Sequence, residues 1–186
     1  MVLSDFLVPF IAIMLAELGD KTQLVVLCLA SKTKKYLHLL LGVISAFMIA
    51  DGLAIVFGNM ITKHIPVNNI KIITGVIFII FGIVMLIKKD EEPTKCDLKK
   101  PFLSGFLLIL VSEMGDKTQI TSGLFATQFN PYIVFFGVIS ALILLSVAAI
   151  YLGKHLLRKL DPKLTSSIAG ALFILIGLFC FIQVIY

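Results

Sequence analysis

Seven residues in the middle of an apolar stretch, Glu17-Leu18-Gly19-Asp20-Lys21-Thr22-Gln23, return 96 positions later as Glu113-Met114-Gly115-Asp116-Lys117-Thr118-Gln119. The surroundings repeat with them: GVISA at 42–46 recurs at 137–141, and GVIFIIFGI at 75–83 aligns with GALFILIGL at 170–178, both at an offset of 95. A single one-residue gap therefore aligns residues 5–87 with 102–182. The chain must fold as two copies of one unit, and each copy must house two acids and a lysine among apolar neighbours.

Those neighbours define the solvent. Hydrophobic residues make up 59% of the 186 and charged residues 15%, with a mean hydropathy of +1.07, against roughly 45–50% and 25% in soluble domains. Apolar runs fall at 5–30, 37–61, 70–87, 102–127, 132–153 and 167–186, separated by turn and charge signals such as KHIPVNN at 63–69 and QFNP at 128–131. A bilayer core takes about 20 helical residues per crossing, so the runs predict six transmembrane helices. Tyr36, Tyr132, Tyr151 and Tyr186 fall near the predicted ends, where an amphipathic ring suits the headgroup region.

Basic residues set the orientation. The connections after the first, third and fifth runs hold Lys32, Lys34, Lys35, Lys88, Lys89, Lys95, Lys99, Lys100, Lys154, Arg158, Lys159 and Lys163, whereas the other side holds only Lys63 and Lys71. The first set belongs in the cytoplasm and both termini outside. The net charge of +5 is then a topology signal rather than a nucleic-acid footprint. Three spans per copy force the second copy to enter from the opposite face. The expected fold is an all-α membrane protein of six transmembrane helices arranged as two inverted-topology three-helix repeats, residues 1–87 and 102–186, joined by a charged cytoplasmic linker at 88–101. Secondary transporters of this architecture place their site at the repeat interface near the midplane. The N-terminus has an acid where a signal peptide carries Lys or Arg, so the first helix is expected to stay attached.

Glu17, Asp20, Lys21, Glu113, Asp116 and Lys117 lie near span centres. Each ionisable group there costs about 2.5–3.5 kcal/mol even on the lenient insertion scale, so they must face one another, water or an ion. Lys21 cannot snorkel, because Ala30 is about 13 Å further along the helix. On a continuous helix Glu17, Asp20 and Gln23 share a stripe, and Lys21 pairs locally with Glu17 at i+4. Gly19 and Gly115 allow either a helix break that frees backbone carbonyls or close helix packing. Glu17, Asp20, Gln23, Glu113, Asp116 and Gln119 are the candidate metal ligands, with Lys21, Thr22, Lys117 and Thr118 in support. Four acids and two lysines sum to a charge of −2, which suits one divalent ion. All-oxygen donors favour hard ions such as Ca²⁺, Mn²⁺ or Mg²⁺. Protons compete with a metal for the same oxygens, so metal/proton exchange is the expectation, against the alternative of a buried salt-bridge cluster that only locks the two halves together.

The two motifs, ELGDKT at 17–22 and EMGDKT at 113–118, resemble the paired E-x-G-D-[KR]-[ST] signatures of the Gdt-type cation/proton exchanger family of Ca²⁺ and Mn²⁺ transporters, which includes bacterial manganese exporters. The resemblance covers essentially the whole chain. It implies removal of Mn²⁺ or Ca²⁺ from the cytosol against protons, with Glu17, Asp20, Glu113 and Asp116 as the matching metal-site acids and the metal as cargo rather than cofactor. The chain is shorter than eukaryotic members and shows no targeting extension, so a multi-pass protein of a bacterial plasma membrane is expected.

Asp51, in the second span, has Ser at its repeat position 146; it is either a proton-coupling group or a carboxylate satisfied by one Ser or Thr hydroxyl. His38, His64 and His155 lie near span ends and read as interfacial. Gly75 and Gly82 match Gly170 and Gly177, which puts small residues on one packing face. Two other functions compete with metal exchange. An exporter of small organic cations or amino acids would need a roomier site. An intramembrane enzyme would need a nucleophile with a base, or phosphate-holding arginines, and the sole arginine, Arg158, is at a span end.

Overall fold

A computed structural model of the chain describes residues 2–87, 98, 100–156 and 162–185. These form eight helices and no strand: α1 (Val2–Glu17), α2 (Lys21–Ser31), α3 (Tyr36–Ile61), α4 (Val67–Ile87), α5 (Pro101–Glu113), α6 (Lys117–Gln128), α7 (Pro131–Leu156) and α8 (Pro162–Ile185). Four helices are long and apolar enough to cross a membrane, at 36–61, 67–87, 131–151 and 166–184. The first and fourth expected spans, 5–30 and 102–127, are not single helices. Each is broken inside its motif, after Glu17 and after Glu113. Most of the linker at 88–101, with the side chain of His155 and the whole of Arg158 and Tyr186, lies outside the described residues.

The exterior is apolar, and a cluster of polar groups lies buried in an otherwise apolar interior. Phe57, Val111, Phe136 and Leu175 are each more than 60% exposed, while Glu17, Thr22, Asp51, Glu113, Thr118 and Ser122 are almost completely buried. Large apolar residues tolerate an outward position only against lipid, and buried polar groups persist only when they find partners. The chain is an all-helical membrane protein.

Packing pairs each half with the other. α4 lies against α8 through the repeated glycines: a Cβ at Gly82 would stand 2.6 Å from the carbonyl oxygen of Gly170, and one at Gly177 2.7 Å from that of Gly75. Only glycine lets the backbones come this close, as the spacing in the sequence implies. Ser166 Oγ adds a 2.6 Å hydrogen bond to the Met85 carbonyl. The α3–α5 contact, with Gly42 against the Phe102 backbone, recurs as Gly137 of α7 against the Phe6 carbonyl of α1. These crossed contacts bring the broken ends of α1/α2 and α5/α6 together.

Candidate metal centre

Each break is a tight turn. Glu113 O accepts a hydrogen bond from Asp116 N at 3.1 Å, with Met114 at φ −63°, ψ 114° and Gly115 at φ +77°, which is the geometry of a type II turn. The first copy has the same bond, Asp20 N to Glu17 O at 3.1 Å, with Gly19 at φ +82°. A Cβ on either glycine would meet no atom within 4 Å. These glycines are needed for backbone conformation and not for close packing, which decides between the two readings of the motif glycine. Asp20 then caps α2, its side chain accepting from Lys21 N at 2.8 Å. The amide oxygens of Gln23 and Gln119 accept from Gly19 N at 3.0 Å and Gly115 N at 2.7 Å, so in this conformation both glutamines brace the breaks.

The breaks exchange partners. Thr22 Oγ1 donates to Glu113 Oε1 at 2.6 Å, and Thr118 donates to Glu17. Lys21 Nζ lies 3.3 Å from Asp116 Oδ1, and Lys117 pairs with both Asp20 and Glu17. The local Lys21–Glu17 pair expected from i+4 spacing is replaced by crossed ones, because the break leaves Glu17 and Lys21 on different helices. Glu17 is 1% exposed and Glu113 fully buried. Carboxylate oxygens of Glu17, Asp20 and Asp116 all lie within 4.8 Å of one another. Two oxygens bound to one Ca²⁺ or Mn²⁺ at ~2.0–2.6 Å can be at most about 5.2 Å apart, so these three suit a single ion. Glu113 adds a fourth carboxylate through Thr22. One oxygen each of Glu17, Glu113 and Asp116 is buried with no hydrogen-bond partner. Buried carboxylate oxygens left open in this way are what a cation site needs.

Asp51 lies apart from that group. It is fully buried on α3, and its Oδ1 accepts from Ser122 Oγ at 2.7 Å. Ser122 was not singled out from the sequence; the visible signal was a Thr-Ser pair at 121–122 inside an apolar run. It reaches Asp51 because α6 packs closely on α3, where a Cβ at Gly123 would stand 3.0 Å from the Ala54 carbonyl. Gln119 Nε2 also donates to the Ala50 carbonyl at 3.1 Å. His38 and His64 are exposed at helix ends, away from the centre.

A buried, self-complementary acidic centre between two helix breaks, inside an apolar exterior, defines a class: membrane transporters of cations. The model of the family described as "Divalent cation/proton antiporter GDT1" matches residues 5–93 and 101–185. The chain belongs to this family, whose members are transporters of divalent cations and protons and not enzymes. It is 27% identical to the "Putative manganese exporter" of Vibrio cholerae over 180 residues, covering 95% of this chain and 90% of that one. It is 28% identical to the "GDT1-like protein sll0615" of Synechocystis over 196 residues, 93% and 94% of the two chains. A shorter match, 27% over 77 residues, covers 41% of this chain and 27% of the "Divalent cation/proton antiporter GDT1" of Saccharomyces cerevisiae. No solved structure matches.

Proposed function

We propose that the chain exports Mn²⁺, Ca²⁺ or both from the cytosol in exchange for protons, as a six-span inverted repeat in a bacterial plasma membrane with both termini outside. In this reading α1 with α2, and α5 with α6, each cross the bilayer as one broken span. The observation that carries it is the convergence of Glu17, Asp20 and Asp116 within 4.8 Å, with Glu113 tied in through Thr22. The lysine distribution supports the orientation, and the name of the Vibrio cholerae relative supports Mn²⁺ and export.

Lys21 and Lys117 hold the acids while no metal is bound. An arriving ion takes over the carboxylate oxygens that the lysines and threonines now bind, and the amide oxygens of Gln23 and Gln119, each accepting one glycine N–H, keep a second lone pair for it. Two protons bring the centre the same charge as one divalent ion, so either cargo neutralises the excess of two acids over lysines. An organic cation does not fit as well. The cavity at Glu17, lined also by Thr22, Gln23, Val26, Phe47 and Ser146, holds about 10 Å³, roughly room for one water.

Mn²⁺ titrations of the purified protein between about pH 5 and 8 test the competition. Affinity should rise with pH as protons leave the shared oxygens, and E17Q or D116N should weaken binding and flatten that dependence. Binding that ignores pH, or that both variants retain unchanged, refutes these acids as the exchange site.

A further inference from the structure

Asp51 is the one buried carboxylate among the described residues that the metal centre does not absorb. Its Oδ1 is bound to Ser122 Oγ at 2.7 Å, and its Oδ2 is buried with no hydrogen-bond partner. Ser122 Oγ also lies 2.8 Å from the Thr118 carbonyl. A hydroxyl has one proton to give, so it serves one of these acceptors at a time.

Each choice corresponds to a protonation state of Asp51. With the carboxylate charged, Ser122 donates to Oδ1. With it protonated, the carboxyl O–H donates to Ser122 Oγ, and the hydroxyl turns to the Thr118 carbonyl. The hydroxyl is satisfied in both states, and no heavy atom has to move. The charged groups acting on Asp51 are acids: Glu17 on α1, Glu113 at the end of α5 and Asp116 in the second break. Lys21 and Lys117 are engaged with Asp116, Asp20 and Glu17.

The repeat supplies an internal control. Position 146 is Ser and position 26 is Val where the other half has Asp51 and Ser122, and the small cavity at Glu17 lies between them. A carboxylate needed only to hold the fold would have been needed twice.

We propose that Asp51 with Ser122 is a proton-binding site separate from the metal-chelating acids, and that it carries one of the protons exchanged for each metal ion. This rests on the exchanger reading above. A divalent ion among Glu17, Asp20 and Asp116 offsets their repulsion of a charged Asp51, so metal arrival drives the proton from Asp51 to water. Metal departure lets a proton return. Thr118 links the two places, its hydroxyl on Glu17 and its carbonyl within reach of Ser122. The coupling is reciprocal, as linkage requires.

The test uses the full chain in proteoliposomes with Mn²⁺ and an entrapped pH dye. D51N should still bind Mn²⁺, with the pH-dependent part of the affinity that a charged Asp51 contributes lost but far more tightly than E17Q does, and should exchange Mn²⁺ for Mn²⁺, which also reports that it is folded, while the protons moved per Mn²⁺ fall by about one. S122A removes the donor that favours the charged form. It should move half-maximal exchange to higher pH, and the pH dependence of Mn²⁺ affinity with it, whereas S45A, at a serine bonded to its own preceding helical turn, should not. A parental proton count in D51N overturns the inference, as does an unmoved pH profile in S122A. Loss of Mn²⁺ binding by D51N equal to that of E17Q also overturns it, by placing Asp51 in the metal shell. A parent that moves Mn²⁺ with no protons overturns the exchanger reading itself.

Discussion

The two short helices that leave the centre, α2 and α6, begin alike and then part. Both open on Lys-Thr-Gln, and then α2 reads Leu24-Val25-Val26-Leu27 where α6 reads Ile120-Thr121-Ser122-Gly123. Val25 and Val26 belong to the apolar core, whereas Thr121 and Ser122 are buried hydroxyls. The residues that touch the acids must be the same in both copies, because two halves share one centre. One turn further on that demand ends, and the copies diverge: one side is sealed by valines, and the other carries Ser122 and Asp51.

Breaking the shared core should have the largest effect. E17Q and E113Q each remove one of the charges that attract a divalent ion to the buried centre, so Mn²⁺ affinity measured by titration should fall by about a hundredfold, or ~2.7 kcal/mol. The two losses should be similar. A large difference between them would show that the centre is not shared evenly.

The glycines separate conformation from packing. G19A and G115A force a side chain into a positive φ at a cost of roughly 1–2 kcal/mol but meet no neighbouring atom; thermal stability should fall by no more than that strain, and flux should fall because the break loses its turn. G82A drives a methyl into the Gly170 carbonyl and should lower the melting temperature far more. If G19A and G82A melted alike, the motif glycine would be a packing residue after all.

Each lysine reaches an acid of the other half, Lys21 to Asp116 and Lys117 to Asp20 and Glu17. K117M should therefore slow transport more than K117R does. K21M should show a defect of the same kind in a side-by-side flux assay. Equal, parental rates for all three would make the ammonium groups incidental. The smallest effect belongs to D97N, in the linker: no change in binding or flux.

The sequence made the two-copy design, the interior acids and the Gly75/Gly82–Gly170/Gly177 face readable, because each is a spacing repeated at a fixed offset. The break was not decidable from it. Gly19 fits a close-packed helix as well as a type II turn, and only a positive φ beside open space separates the two. The crossed lysine pairs were missed for the same reason, since i+4 pairing presumes the helix that the turn interrupts. Gln23 and Gln119 read as oxygen ligands, and their role in holding the glycine N–H groups depends on the turn as well. Ser122 was hidden by its type. A serine in an apolar helix usually bonds its own preceding turn, and its contact with Asp51 comes from α6 packing on α3.

The central claim, that two broken helices form one centre exchanging a divalent metal for protons, is tested most directly by metal flux into proteoliposomes under an imposed pH gradient, with Mn²⁺ and Ca²⁺ compared. The account predicts that the gradient drives at least one of the two ions uphill, that the ion's movement discharges the gradient, and that E17Q and E113Q abolish both. Metal movement that neither responds to the gradient nor dissipates it, or that survives both substitutions, would contradict it.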